Sequence, residues 1–291
     1  MHRQDPHGRL RESIAQLIQQ ESADTSLLEA IPKRWEKFAD VALFQHDSFS
    51  EKGWSSINQA NLWAAVANAL KVERVGRVSE IVGEKREPTV EMVLGEDDWV
   101  IRRENGIDYG YNLTKCMFSA GNVNERRRMG EVAKQDEVVL DLYAGIGYYT
   151  LPILVHSQAE HVHCCEWNPN SVKALETNLR RNGVSDRCSV YVGDNRVTAD
   201  NLRGIADRVI LGLLPSAQRG YSVAMHSLSE LGGILHIHGV APPKNHSAWV
   251  GGVLDELRSI DTHRIINEAA VIRVKSYAPH WDHLVLDVSV E

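Results

Sequence analysis

From Val138 onward the chain alternates between short apolar runs and longer amphipathic segments, and this alternation restricts the fold more than any single residue does. The runs EVVLDLY, HVHCCEW, CSVYVGD, DRVILGL and GGILHIHG are rich in Val, Ile and Leu and have strand length. Between them lie segments such as NSVKALETNLRRNG, where Val172, Leu175 and Leu179 share one helical side and Gly183 marks the end. Strands that alternate with helices predict a parallel, doubly wound α/β sheet, because parallel neighbours need a crossover connection. The tail departs from the pattern. AAVIRVKSYAP and HLVLDVSV are separated only by HWD, which leaves room for a turn but not a helix, so an antiparallel hairpin at the sheet edge is expected.

Upstream the periodicities are mixed. Leu10, Ile14, Leu17 and Ile18 share one helical face, and Leu62, Val66 and Leu70 repeat the pattern. DVALF, PTVEMVLG, DWVIRREN and IDYGYNL read as strands, and Asn105-Gly106 between the last two is a strong hairpin signal. The expected organisation is a helical segment over 1–37, a small α+β domain over 38–118 and a Rossmann-like domain over 119–291.

Net charge is −7, which opposes indiscriminate nucleic-acid binding and leaves only local cationic patches for phosphate. The candidates are PKRWEK, EKREP, the pair Arg102-Arg103 and ERRRMG. No apolar run reaches the roughly 18 residues of a membrane span, and MHRQDPHGRL contains no apolar signal core. Cys116, Cys164, Cys165 and Cys188 show no CxxC spacing and read as free thiols. The expectation is a soluble, cytoplasmic protein that engages neither membrane nor DNA.

In doubly wound sheets ligands bind beyond the carboxyl ends of the strands. The first strand ends in Asp141 and the turn Ala144-Gly145-Ile146-Gly147, the second in Glu166, the third in Gly193-Asp194-Asn195 and the fourth in LGLLPS. A glycine turn admits close backbone approach, an acid on the next strand accepts ribose hydroxyls, and a polar trio can read an adenine edge. Together these features point to a nucleoside ligand, either NAD or S-adenosylmethionine (SAM). A dinucleotide fingerprint requires a third glycine where this chain has Thr150, and Tyr148 and Tyr149 would crowd a pyrophosphate, so SAM is favoured.

The stretches MFSAGNVNERRRMG, VLDLYAGIGYYTLPILVH, HCCEWNPNSVKALETNLRRNGV, VGDNR, DRVILGLLPS, GGILHIHG and VKSYAPHWDHLVLDV together resemble the tRNA wybutosine-synthesizing protein 2 family, over about Ile31 to Val290. That family is related to the tRNA guanine-37 N1-methyltransferases. The resemblance implies a class I SAM-dependent fold, with a mostly parallel seven-stranded sheet and a C-terminal antiparallel hairpin. It also implies transfer of the 3-amino-3-carboxypropyl group of SAM to carbon 7 of 4-demethylwyosine, at position 37 in the anticodon loop of phenylalanine tRNA. Methylthioadenosine is released and no metal takes part.

Carried over to this chain, Ser119 and Arg126 match positions that line the SAM pocket, Glu166 the ribose acid, and Asp194 with Asn195 the adenine end. Asp141 and Gly145 of the turn complete the expected SAM contacts. Relatives also carry Lys where this chain has Arg126, so a cation that pairs with the SAM carboxylate is expected there. Arg102, Arg103, Leu213 and Pro215 are the expected substrate side. No general base is assigned. His238 is either functional or a packed histidine, and Cys164 and Cys165 read as core. The related methyltransferases place an Asn-Pro-Pro type motif where this chain has Gly212-Leu213-Leu214-Pro215-Ser216, which favours aminocarboxypropyl transfer over a first rival, a guanine N1-methyltransferase, while the intact Asp141, Glu166, Asp194 and Asn195 speak against a second, a non-catalytic tRNA-binding module.

Overall fold

The computed structural model describes residues 5–82 and 87–291, so Glu84, Lys85 and Arg86 of the EKREP patch lie outside the described residues. It divides into two compact units. One runs to Arg102 and includes Tyr111–Met117; the other comprises Arg103–Gly110 and Phe118–Glu291. Among the described residues no helix is long and apolar enough to cross a membrane.

In the first unit, helix α1 (Pro6–Gln20) starts where Asp5 accepts the Gly8 N–H at 2.8 Å and Pro6 presets the first turn. Helix α2 (Gln59–Leu70) is capped in the same way by Asn58. Strands β1 (Glu36–Phe38), β2 (Val41–Gln45), β3 (Arg74–Val82) and β4 (Glu87–Leu94) form a sheet in that order. β2 and β3 run parallel because α2 carries the chain across, while the outer pairs are antiparallel. Leu10, Ile14, Leu17 and Ile18 of α1 share one core with Phe44, Trp54, Leu62, Val66 and Leu70. Helix α1 is thus packed into the same unit as the strands that follow it. Strands β5 (Trp99–Glu104) and β6 (Ile107–Asn112) pair through Asn105 and Gly106, both at positive φ, as the hairpin signal predicts.

The second unit adds α3 (Val123–Val132), β7 (Val138–Asp141), α4 (Thr150–His156), β8 (His161–Glu166), α5 (Pro169–Arg181), β9 (Cys188–Val192) and the short α6 (Asn195–Thr198). It continues with β10 (Arg208–Leu211), α7 (Tyr221–Ser227), β11 (Gly233–Ala241), α8 (His246–Ile260), β12 (Ile266–Ala278) and β13 (Trp281–Val290). The sheet order is β12-β13-β11-β10-β7-β8-β9, with β13 antiparallel to both neighbours and the other pairs parallel. One face packs Leu140, Val209, Leu211, Leu235, Ile237 and Leu286 against α7 and α8, and each such side chain contributes about 1.5–3 kcal/mol by leaving water. The chain winds from β7 through β8 to β9 and then returns to the other side of β7 as β10. In doubly wound sheets such a reversal is where a ligand crevice forms, which places it at the carboxyl end of β7.

Candidate active site

The crevice is floored by the turn after β7. Gly145 and Gly147 sit at φ +57° and +99°, and a Cβ at Gly145 would stand 2.3 Å from the Tyr148 ring, so neither position accepts a side chain without strain. The Gly145 N–H donates to Glu166 Oε2 at 2.7 Å, and the Asn168 N–H donates to Oε1 at 2.7 Å. The Trp167 backbone also bonds this carboxylate, so three backbone donors hold its two oxygens and the remaining acceptor capacity suits a hydroxyl. Burial pushes the Glu166 carboxyl above its ordinary value, and the backbone donors oppose that shift. Trp167, 41% exposed, follows it and offers an aromatic face that periodicity alone does not distinguish.

Asp141 behaves differently. It is fully buried, accepts from Thr150 Oγ1 at 2.9 Å and from the Tyr143 N–H at 3.3 Å, and is pushed up to about 6, chiefly by burial. Asp141 braces the turn from beneath through these bonds. Asn195 is 7% exposed and its Nδ2 donates to the Leu142 carbonyl at 2.8 Å, so it ties the end of β9 to the exit of β7. Asp194 stays partly exposed. It caps α6 through the Arg196 N–H and pairs with the Arg196 guanidinium, which holds its carboxyl below the usual range.

Ser119 leads into α3, and its Oγ accepts from Lys275 Nζ at 2.6 Å. Arg126 was expected to pair with a ligand carboxylate, but it is 1% exposed and its fork grips Glu104 at 2.6 and 2.7 Å. Its remaining nitrogen donates to the Ser119 carbonyl at 2.9 Å, and the guanidinium lies 4.5 Å from the Phe118 ring centre. Its charge is paired within the protein, and through the Ser119 carbonyl Arg126 positions the Ser119 loop.

The expected substrate side also divides. Arg102 donates to Glu36 at 2.6 Å and stacks 4.1 Å over Phe38, with only 11% of its side chain exposed. Arg103 has 75% of its side chain in solvent. Leu213 is half-buried against the core of the second unit, whereas Pro215 is exposed. In the ERRRMG run only Arg127 is exposed, because Arg128 joins Glu125 to Asp287. His238 is buried, with Nδ1 2.9 Å from His283 Nε2, and burial lowers its pKa so that it stays neutral. It is a packed histidine. Cys164 and Cys165 are buried in β8 as free thiols.

A family profile described as the TRM5/TYW2 methyltransferase domain matches residues 100–249, and one described as the TYW2 N-terminal domain matches residues 14–98. The chain is 41% identical over 288 residues to tRNA wybutosine-synthesizing protein 2/3/4 of Arabidopsis thaliana, covering 97% of this chain and 29% of that protein. It is 46% identical over 318 residues to the human tRNA wybutosine-synthesizing protein 2 homolog, covering 90% of this chain and 70% of that one. The chain thus spans less than a third of the plant relative. A crystal structure of P. horikoshii TYW2 in complex with MeSAdo superposes with a TM-score of 0.79 at 30% identity, over 98% of both chains.

Proposed function

This chain belongs to the TRM5/TYW2 family, and on that premise we propose that it transfers the 3-amino-3-carboxypropyl group of SAM to carbon 7 of 4-demethylwyosine at position 37 of phenylalanine tRNA, in the cytoplasm. The observation that carries this reading is Glu166: a carboxylate at the end of β8, set by backbone N–H groups over a glycine turn and left with acceptor capacity for a ribose. When bound, SAM supplies an activated carbon: carbon 7 bonds to its γ-carbon, the sulfur–carbon bond breaks with its electron pair going to sulfur, and carbon 7 releases a proton.

The chain's own residues select the geometry. Glu166 and the Gly145 turn fix the nucleoside, so that the arm to be moved points away from the turn. Holding a γ-carbon about 3–3.5 Å from the attacking atom provides the selection among the three carbons on sulfur. The loop Gly212-Leu213-Leu214-Pro215 follows β10 and offers no side-chain amide or carboxylate to a guanine edge. That loop is what favours this reading over guanine N1-methylation. The MeSAdo named with the P. horikoshii structure has the composition of the expected by-product. The region 38–118, with the exposed Arg103 at its hairpin, is the proposed tRNA-facing part, including the contact with the anticodon loop.

The test is by-product analysis with SAM and phenylalanine tRNA carrying 4-demethylwyosine. Methylthioadenosine should appear in step with modified tRNA; S-adenosylhomocysteine in its place would establish the methyltransferase reading.

A further inference from the structure

We propose that Lys275 of β12 is the cation that receives the α-carboxylate of the bound amino-acid arm, with Ser119 as the hydroxyl that holds the ammonium in place. This deepens the reading of the site as a SAM site and rests on it.

The neighbourhood contains several cations, and each of the others has its own acid. Arg126 is neutralised by Glu104, Arg128 by Glu125 and Asp287, and Arg273 by Asp282. Among the described residues Lys275 has no carboxylate within 4.0 Å; its hydrogen bond goes to the neutral Ser119 Oγ at 2.6 Å. The side chain is half-buried, and burial, with the charge of Arg126 nearby, lowers its pKa. An ammonium partly removed from water and left without a counter-ion is costly, and an incoming anion offsets that cost. Of its three N–H donors one is used by Ser119, and two remain for a carboxylate.

The ammonium is held in place and connected to the turn. A Cβ on Gly121 would stand 2.9 Å from Lys275 Cδ, so the backbone after Ser119 closes over the lysine stem. Phe118, next to Ser119, lies 6.1 Å from the Tyr148 ring, and Tyr148 packs against Gly145, whose N–H holds Glu166. One continuous set of contacts therefore joins the hydroxyl-accepting end of the site to an unpaired positive charge. A nucleoside that carries a carboxylate on its 5′ arm presents the two complementary groups.

The experiment is calorimetric titration of the full chain with SAM, decarboxylated SAM and methylthioadenosine, in wild type, Lys275→Met and Lys275→Arg. Wild type should bind SAM about ten- to a hundredfold more tightly than decarboxylated SAM, as loss of a charge-assisted bond requires. Lys275→Met should reduce that preference to near unity while its affinity for methylthioadenosine, which lacks the arm and reports an intact fold, stays within about twofold. Lys275→Arg should restore part of the preference. An undiminished preference in Lys275→Met, or a parallel loss for methylthioadenosine, would overturn the assignment while leaving the SAM reading intact. Failure of wild type to bind any of the three would overturn both.

Discussion

Asp141 and Glu166, at the ends of β7 and β8, are held by backbone and hydroxyl donors, whereas Glu125, Glu137 and Asp287 elsewhere in the same unit are each gripped by an arginine. Arg128 bridges Glu125 and Asp287 at 2.7 and 2.6 Å, His236 Nδ1 lies 2.6 Å from the other Asp287 oxygen, and Arg208 joins His236 to Glu137. Burial acts upward on Asp141 and Glu166 in the crevice and on Glu137 and Asp287 in the paired region. In the paired region the bonds from His236 and Arg128 outweigh it and bring Asp287 down to about 2; in the crevice nothing cationic does so, and Asp141 rises to about 6. Paired acids fasten α3 and β11 to β13. The acid of the crevice that keeps acceptor capacity, Glu166, is where an outside donor can bind.

The largest effect should come from breaking the paired region. Arg128→Met leaves two buried carboxylates without their cation and should cost about 3–5 kcal/mol in urea unfolding. A loss below about 1 kcal/mol would mean that the network fastens nothing.

The two regions should also respond to pH with opposite signs. Folded Asp141 holds its proton more tightly than the unfolded chain does, so its contribution is full at low pH and is lost as pH rises from the ordinary carboxylate value to about 6. Asp287 contributes above the ordinary carboxylate value and loses that contribution as pH falls toward about 2. His236, His238 and His283, whose pKa values are all lowered by burial, add a slope of their own that cancels when a variant is compared with wild type. Asp141→Asn should therefore remove a loss of about 2–3 kcal/mol between about pH 4 and 6. Parallel stability curves for variant and wild type would contradict the buried-acid assignment.

Next in size, Glu166→Gln should weaken methylthioadenosine binding by about 1.5–3 kcal/mol, and should cost no more stability than the roughly 1–3 kcal/mol of one backbone N–H left without its acceptor. The converse, lost stability with intact binding, would place Glu166 with the fastening acids.

The smallest effect concerns the neighbouring arginines of β5. Arg103→Glu should weaken tRNA binding a few-fold and reduce the salt slope by about one. Arg102→Ala should alter unfolding of the first unit more than salt-dependent binding, since it breaks the bond to Glu36. Equal salt effects from both variants would contradict this division.

Strand ends were legible because their chemistry is local: the Gly145 turn and Glu166 lie close in sequence on consecutive strands. β3 does not stand out, because RVGRVSEIV contains arginines whose partners Asp40 and Glu91 lie on other segments. Nor does α8, where Gly251-Gly252 interrupts a helix that nonetheless buries Val250, Val253, Leu254 and Leu257. Periodicity also cannot report that Glu104 lies on Arg126 or that Lys275, 156 residues away, meets Ser119. Such pairs decide which cation is free, and the fold alone brings them together.

The contrast between the two regions can be measured directly by carboxyl-carbon NMR titration of Glu166 and Asp287, with and without methylthioadenosine. Ribose hydroxyls donate to the ionised form, so the ligand should lower the Glu166 pKa and leave Asp287 near 2. A Glu166 titration unchanged by saturating ligand, or an equal shift at Asp287, would contradict the account.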